Sequence, residues 1–516
     1  MAPPIHLRLE RAWTNDPAHP VARTVTTDGD RVVALDAARP AAAEVIDTGG
    51  YALPGFIDAH VHFIRGGLSL TQLDLASVRS RAEFEAAIAD THATLPDDAW
   101  LIARGWSQEN WPGHALPDRR WLAAAGARPT VCYRMDEHAA LVNDAVLARC
   151  DLTTPIKGGS IARDRDGEPT GLMIEAAAWH RVNPLVPRPS RADLAHALDA
   201  AETYALDRGI TTVGSMEYRK DVEAAYLPRR THLRLRHRIT LLDRSWPLDP
   251  DVLRFARTLP IDDRLAVIGA KSFLDGTLGL RTAAMLASYA DAPETSGTFL
   301  EHAADGTLAE WARTIAAAGL SPSMHAIGDA AARLALDVVE DLHARGLDRG
   351  DAAPRIEHAQ QLDTGDIRRF AGVIASMQPL HRADDGRSAL TRLGPERLVG
   401  SYAFRQLLNA GAKLAFGSDW PIVAADPLLG IRAAVTGRTH DGTRFRPEEN
   451  LTPHEAITAY TTGAAHALKI ARGGTLGVGA RSDLVVLDRD PFTCDWESAP
   501  PVIILTIAGG RVHPPA

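Results

Sequence analysis

Residues 55–63 read GFIDAHVHF, an apolar run that carries Asp58, His60 and His62. In an extended strand side chains alternate between faces, so His60 and His62 point the same way and Asp58 shares that face. Two imidazoles aimed at one point behind a Pro54–Gly55 entry favour a shared metal over a hydrogen-bonded core pair, because neutral imidazole is the commonest protein metal ligand. Further reactive side chains recur at the ends of apolar segments along the chain: Lys271 in GAKSFLDGTLGLRTA, His325 in SMHAIGD, His358 in RIEHAQ and Asp419 in FGSDWP. A single strand-end His or Asp is more often a satisfied structural group; five strand ends that each supply one form a constellation.

The types fit metal-assisted hydrolysis at a carbonyl group. Divalent ions held by nitrogen and oxygen ligands bring the pKa of a bound water towards about 7 and polarise a carbonyl. A lysine ammonium among such ions would repel them. Burial lowers a lysine pKa, and the free amine reacts with carbon dioxide to give an anionic carbamate with two metal-binding oxygens. The plainer role for Lys271 is an ion pair with Asp275. Asp419 is the candidate base that takes a proton from the water and returns it to the leaving nitrogen. Asp58 is placed to orient a ligand imidazole.

These residues need a scaffold that gathers strand ends. After 55–63, apolar strands are expected at 210–216, 233–241, 265–273, 320–328, 353–359, 372–378 and 412–419, alternating with amphipathic helices such as 192–209, 332–346 and 402–411 that close on glycine. That makes eight βα units, an α/β fold of the (β/α)8 TIM barrel type, whose catalytic groups lie at the C-terminal ends of the strands. Residues 1–54 and 470–516 are both β-rich and are expected to assemble one small β-sandwich domain. The barrel then spans 55–469, with 65–190 as an insertion after the first strand that rises beside the mouth. GGSIARDRDGEPTG (158–171) within it reads as a hairpin or ordered loop.

Bulk properties narrow the function further. A formal net charge of −9 and a pI near 6.1 exclude a basic nucleic-acid surface. Cys132, Cys150 and Cys494 form no C-x-x-C pair, so neither a disulfide framework nor a thiolate zinc site is encoded. The stretch MAPPIHLRLE lacks a basic segment followed by an apolar one, so export is not expected, and no window supplies the roughly 18 apolar residues of a membrane span. A cytoplasmic enzyme with a small-molecule substrate and no membrane partner is expected; a homo-oligomer is compatible with the sequence.

The motifs PGFIDAHVHF, KSFLDGTLGLRTA, HAIGD, RIEHAQ and GSDWP, spread over nearly the whole chain, resemble those of the metal-dependent amidohydrolase superfamily and, more narrowly, its YtcJ-like branch, which includes N-substituted formamide deformylases. The resemblance implies that His60, His62, a carboxylated Lys271, His325, His358 and Asp419 hold one or two divalent ions. Zinc is expected from a ligand set without thiolate. Trp106, His138, Arg281, His381 and Trp420 are candidate substrate contacts, and Trp100, Trp106, Trp111 and Trp121 in the insertion suggest a pocket for an apolar or aryl amide, N-formyl or N-acyl amine or cyclic amide. A zinc deaminase is disfavoured because HAIGD supplies no glutamate. The same barrel could serve a lactone or ester hydrolase, or a non-catalytic protein, although the latter would be expected to have lost ligands. Ala330 stands where relatives commonly carry an arginine after HAIGD.

Overall fold

Eight parallel strands carry the expected ligands: β1 (Phe56–Val61), β2 (Ile210–Glu217), β3 (Arg236–Leu242), β4 (Leu265–Phe273), β5 (Ser321–Ala326), β6 (Arg355–His358), β7 (Ile374–Met377) and β8 (Lys413–Phe416). The computed structural model describes residues 3–242, 249–259, 262–386 and 388–514. The strands are hydrogen-bonded in chain order from β1 to β8, and nearly all their residues are buried. Such continuous apolar runs are what a parallel sheet covered by helices requires. Each expected strand is present: 265–273 is found with the bounds expected, 210–216 runs one residue further to Glu217, 233–241 is shifted to Arg236–Leu242, and the other five are trimmed where their ends turn into loops.

Closure falls at the candidate site. The Asp419 N–H donates to the His60 carbonyl at 2.7 Å, and the His62 N–H donates to the Trp420 carbonyl at 2.8 Å. Gly417 makes this approach feasible, since a Cβ there would lie 2.5 Å from the His60 nitrogen and 2.8 Å from Asp58 Oδ1. Asp58 buttresses the seam by accepting from the Ser418 N–H at 3.0 Å, the Ser418 hydroxyl at 2.5 Å and the His60 N–H at 3.1 Å.

Helices cover the barrel. That of Arg191–Leu206 is opened by a Ser190–Asp193 capping box, which satisfies its first free N–H groups. The helix of Asp329–Ala344 starts three residues before the expected 332, so its first turn is the end of HAIGD itself. That of Phe404–Asn409 is shorter than the 402–411 expected from periodicity.

Two further sheets flank the barrel. One has eight strands and draws on both chain ends: Ile5–Trp13, Val21–Asp28, Arg31–Leu35, Glu44–Asp47 and Tyr51–Pro54 are joined to Leu484–Leu487, Ile503–Ala508 and Arg511–His513. Its buried apolar cluster includes Leu7, Val25, Ala52, Leu484 and Ile507. The second is a six-stranded sheet between β1 and β2 in the chain, and Gly159–Arg163 pairs antiparallel with Pro169–Glu175 where a hairpin is expected.

The seam yields a direct test. Gly417→Ala forces a methyl into backbone, and overpacking of this kind costs about 1–3 kcal/mol. Thermal unfolding should show a lowered midpoint; an unchanged midpoint would mean that the seam has slack.

Candidate active site

His60 ends up at the centre of a buried cluster. Its Nε2 lies 3.1 Å from Lys271 Nζ and 3.3 Å from Asp419 Oδ1, and His62 Nε2 reaches the same carboxylate oxygen at 3.3 Å. One ligand atom each from His60, His358 and Asp419 lie within 4.8 Å of one another. The His325 ring is centred 4.4 Å from that of His358. All six residues expected from the motifs therefore converge, although His62 lies beyond β1, as the N-cap of the helix Phe63–Ser69. Two of them sit on strained backbone: φ is +73° at His358 and +62° at Asp419. Such conformations cost of order 1–3 kcal/mol and persist where the surroundings enforce them.

The imidazoles are oriented from behind. His60 Nδ1 contacts Glu357 Oε2 at 2.7 Å, and Glu357 is ion-paired with Arg355 at 2.8 Å. His358 Nδ1 contacts Gln378 Oε1 at 2.8 Å. Each oxygen accepts a hydrogen bond from Nδ1–H, which leaves the lone pair on Nε2, as a metal ligand requires. The ring of His60 is thus held by Glu357, whereas Asp58 holds only backbone and Ser418. Glu357 was legible only as a carboxylate beside His358 in an apolar strand. Asp275, the ion-pair partner that the sequence suggests for Lys271, is engaged by backbone instead: its carboxylate accepts the N–H groups of Ile327, Gly328 and Ala284 at 3.0, 2.8 and 2.9 Å, tying the end of β4 to the HAIGD loop. Burial pushes the Asp275 carboxyl up to about 7 against those hydrogen bonds.

Electrostatics and unmet bonding both suit a cation. Burial lowers His62 to about 4 and holds His325 and His358 well below the usual range, so all three are neutral at pH 7. Burial would raise Asp419, but the surrounding imidazoles outweigh it and hold its carboxyl well below the usual range, so the carboxylate is ionised. His62 Nδ1, His325 Nδ1, His358 Nε2 and Asp419 Oδ1 are buried without a hydrogen bond. An unsatisfied buried polar atom costs about 1–3 kcal/mol, and His358 and Asp419, two of the three residues whose ligand atoms gather within 4.8 Å, each carry one that a positive ion would satisfy. Neutral imidazoles and a carboxylate also match the donor set of zinc and similar divalent ions.

A cavity opens onto His325, His358 and Asp419. Of the expected substrate contacts, His138 and His381 line it. His138 comes from the insertion, its Nδ1 2.6 Å from Glu175 Oε2 and its ring centred 5.6 Å from that of His325. The remaining three face elsewhere. Trp106 is fully buried inside the insertion, donates to the Cys132 carbonyl at 2.7 Å and stacks on Trp111. Arg281 is held by Asp291 at 2.6 Å in a neighbouring depression, and Trp420 stacks on Tyr204 with centroids 4.8 Å apart. The expected aromatic pocket gives way for the same reason: Trp111 and Trp121 pack with Phe84 as insertion core, and Trp100 lies under Arg149. Tryptophans numerous enough to line a pocket are also numerous enough to fill a small sheet's core. Asp136, Asp384 and Arg134 join Met135, Leu278 and Ile422 in the cavity wall, giving it mixed polarity.

Residues 44–513 match the model of the amidohydrolase family, and the chain belongs to that family. It is a hydrolase acting on carbon–nitrogen bonds, of the YtcJ-like branch. It is 35% identical to Protein LONG AFTER FAR-RED 3 of Arabidopsis thaliana, over 91% of this chain and 83% of that one. Identity is 32% to the putative amidohydrolase YtcJ of Bacillus subtilis, covering 88% and 87%, and 26% to an N-substituted formamide deformylase of Arthrobacter pascens, covering 93% and 92%. Among solved structures, an uncharacterized metal-dependent hydrolase from Pyrococcus horikoshii superposes with a TM-score of 0.76 at 26% identity, covering 96% of this chain and 99% of that one. Among the described residues no helix is long and apolar enough to cross a membrane.

Glu357→Gln tests the orientation of His60. Loss of such a supporting carboxylate typically costs 10–100-fold in metal affinity. Competition with a chromophoric chelator should show a weakening of about that size, and unchanged affinity would remove Glu357 from the account.

Proposed function

We propose that this protein hydrolyses a non-peptide amide bond of a small molecule, an N-formyl or N-acyl amine or a cyclic amide, with His60, His62, Lys271, His325, His358 and Asp419 holding one or two divalent ions, most simply zinc. The observation that carries this reading is the set of buried, hydrogen-bond-deficient ligand atoms around the ionised Asp419. When bound, the ions supply an acidified water and a Lewis acid for the substrate carbonyl. Asp419 Oδ1 faces His60 and His62, and its carboxylate also borders the cavity. It takes the proton from the attacking water and hands it to the nitrogen as the C–N bond breaks. Lys271, beside His60 at the end of β4, reacts with carbon dioxide as a neutral amine, and its carbamate oxygens balance the ions' charge.

The architecture divides the work in this reading. Residues 55–469 form the hydrolytic barrel, 65–190 the insertion that walls the cavity through His138 and Asp136, and 1–54 with 470–516 a composite β-domain. The mixed polarity of the wall does not single out a purely aryl substrate, so the amide group itself defines the class. The reading sets the protein in a reducing cytoplasm, in keeping with its three free cysteines.

Purified protein should carry one to two divalent ions per chain, and chelation should abolish turnover of amides that added zinc restores. Full activity in metal-free protein would overturn the reading. Lys271→Ala should be nearly inactive and partly recovered by formate or acetate with metal, because a small carboxylate can take the carbamate's place; an unaltered rate would leave the lysine structural. Asp419→Asn should lower turnover by several orders of magnitude. A loss below about tenfold, roughly 1.4 kcal/mol of barrier, would assign the proton transfer to another group.

A further inference from the structure

His381 is wired differently from the imidazoles beside it. It lies on the helix Pro379–Asp385 that follows β7, stacked on His358 with centroids 6.0 Å apart and an interplanar angle of 8°. In His60 and His358 the Nδ1 atom meets an oxygen acceptor, so the lone pair is left on Nε2. In His381 the Nδ1 atom meets a donor, the side-chain nitrogen of Gln360 at 3.2 Å. The next links agree with that assignment: Gln360 Nε2 also donates to the Tyr402 hydroxyl at 2.6 Å, and the hydroxyl donates to Asp385 Oδ2 at 2.6 Å. Burial pushes the Asp385 carboxyl up to about 7; once ionised it only accepts, and the chain of donors then runs from Gln360 outwards in both directions. A neutral His381 therefore carries its hydrogen on Nε2. This N–H is buried without a partner on a residue that lines the cavity, and stands 3.8 Å from Asp419 Oδ2, beyond hydrogen-bond reach.

We propose that His381 Nε2–H is the hydrogen-bond donor for the oxygen of the scissile carbonyl, and that Gln360 and Tyr402 are positioning residues that hold its tautomer. The inference rests on the hydrolytic reading of the site. As water adds to the carbonyl carbon, the oxygen gains negative charge beside a fixed N–H in a site shielded from water, and the bond strengthens in the transition state. The proton stays on Nε2 throughout, so the step adds no proton transfer to the one assigned to Asp419. A donor N–H excludes His381 from the metal ligands, whose nitrogen needs its lone pair.

The test uses zinc-loaded protein with N-formylbenzylamine, or the best substrate from a panel of formamides, N-acyl amines and cyclic amides. Removing one such donor typically lowers kcat by about 100–1000-fold. His381→Ala should do so with KM little changed and zinc content intact, and His381→Asn, which keeps a donor, should lose less. Gln360→Glu should impair kcat in the same sense, because a carboxylate accepts from Nδ1 and moves the hydrogen off Nε2. Nitrogen NMR of the histidine ring should show Nε2–H in the wild type and Nδ1–H in Gln360→Glu. A kcat within about threefold of wild type in His381→Ala, loss of zinc in that variant, or an Nδ1–H tautomer in the wild type would each overturn the proposal. If the wild type hydrolyses no amide, it is the functional reading that fails, and the wild-type tautomer still decides the wiring of His381.

Discussion

An ionised carboxylate, Asp419, lies buried among imidazoles that burial keeps neutral. Placing a charge there is expensive unless something of opposite sign accompanies it. The rest of the structure can be understood as meeting that demand. The barrel closes through hydrogen bonds at Asp419 and His62, Gly417 lets β8 come close enough, and left-handed backbone at His358 and Asp419 turns both side chains inwards. Strain and desolvation concentrated at one point are intelligible if a cation completes the cluster.

Rigidity is supplied from outside the cluster. Glu357, Gln378 and Gln360 set the tautomers of His60, His358 and His381, so three rings of one residue type present different atoms to the site. Two offer lone pairs and one offers an N–H. Asp275, accepting three backbone N–H groups, locks the end of β4 to the loop after β5 and so fixes the spacing between Lys271 and His325. Because these supports come from strand β6 and from the loops after β4, β6 and β7, the site depends on the barrel's register.

The barrel strands were legible in the sequence because a parallel strand buried on both faces must be continuously apolar, and the ligands stood out as polar residues at the ends of such runs. Helix ends were less so: the HAIGD segment runs straight into its helix, which the apolar period alone places later. The supports were the least visible, since Glu357 and Asp275 are ordinary carboxylates until their partners from distant strands are known. Asp58 drew attention through alternation with His60, yet its oxygens are taken by Ser418 across the closing seam. The tryptophans misled because aromatic content does not distinguish a core from a pocket wall. Trp106 fills the insertion while His138, a single residue of the same segment, reaches the cavity.

The central claim is that these six residues share metal and that Lys271 is carboxylated. A crystal structure of protein loaded with zinc under bicarbonate, with data collected on both sides of the zinc absorption edge, tests it most directly. The account predicts anomalous density between the His60, His62, His325, His358 and Asp419 side chains, and density for a carboxyl group extending from Lys271 Nζ. Zinc bound elsewhere with these imidazoles empty, or a bare Lys271 amine beside a fully occupied metal, would contradict it.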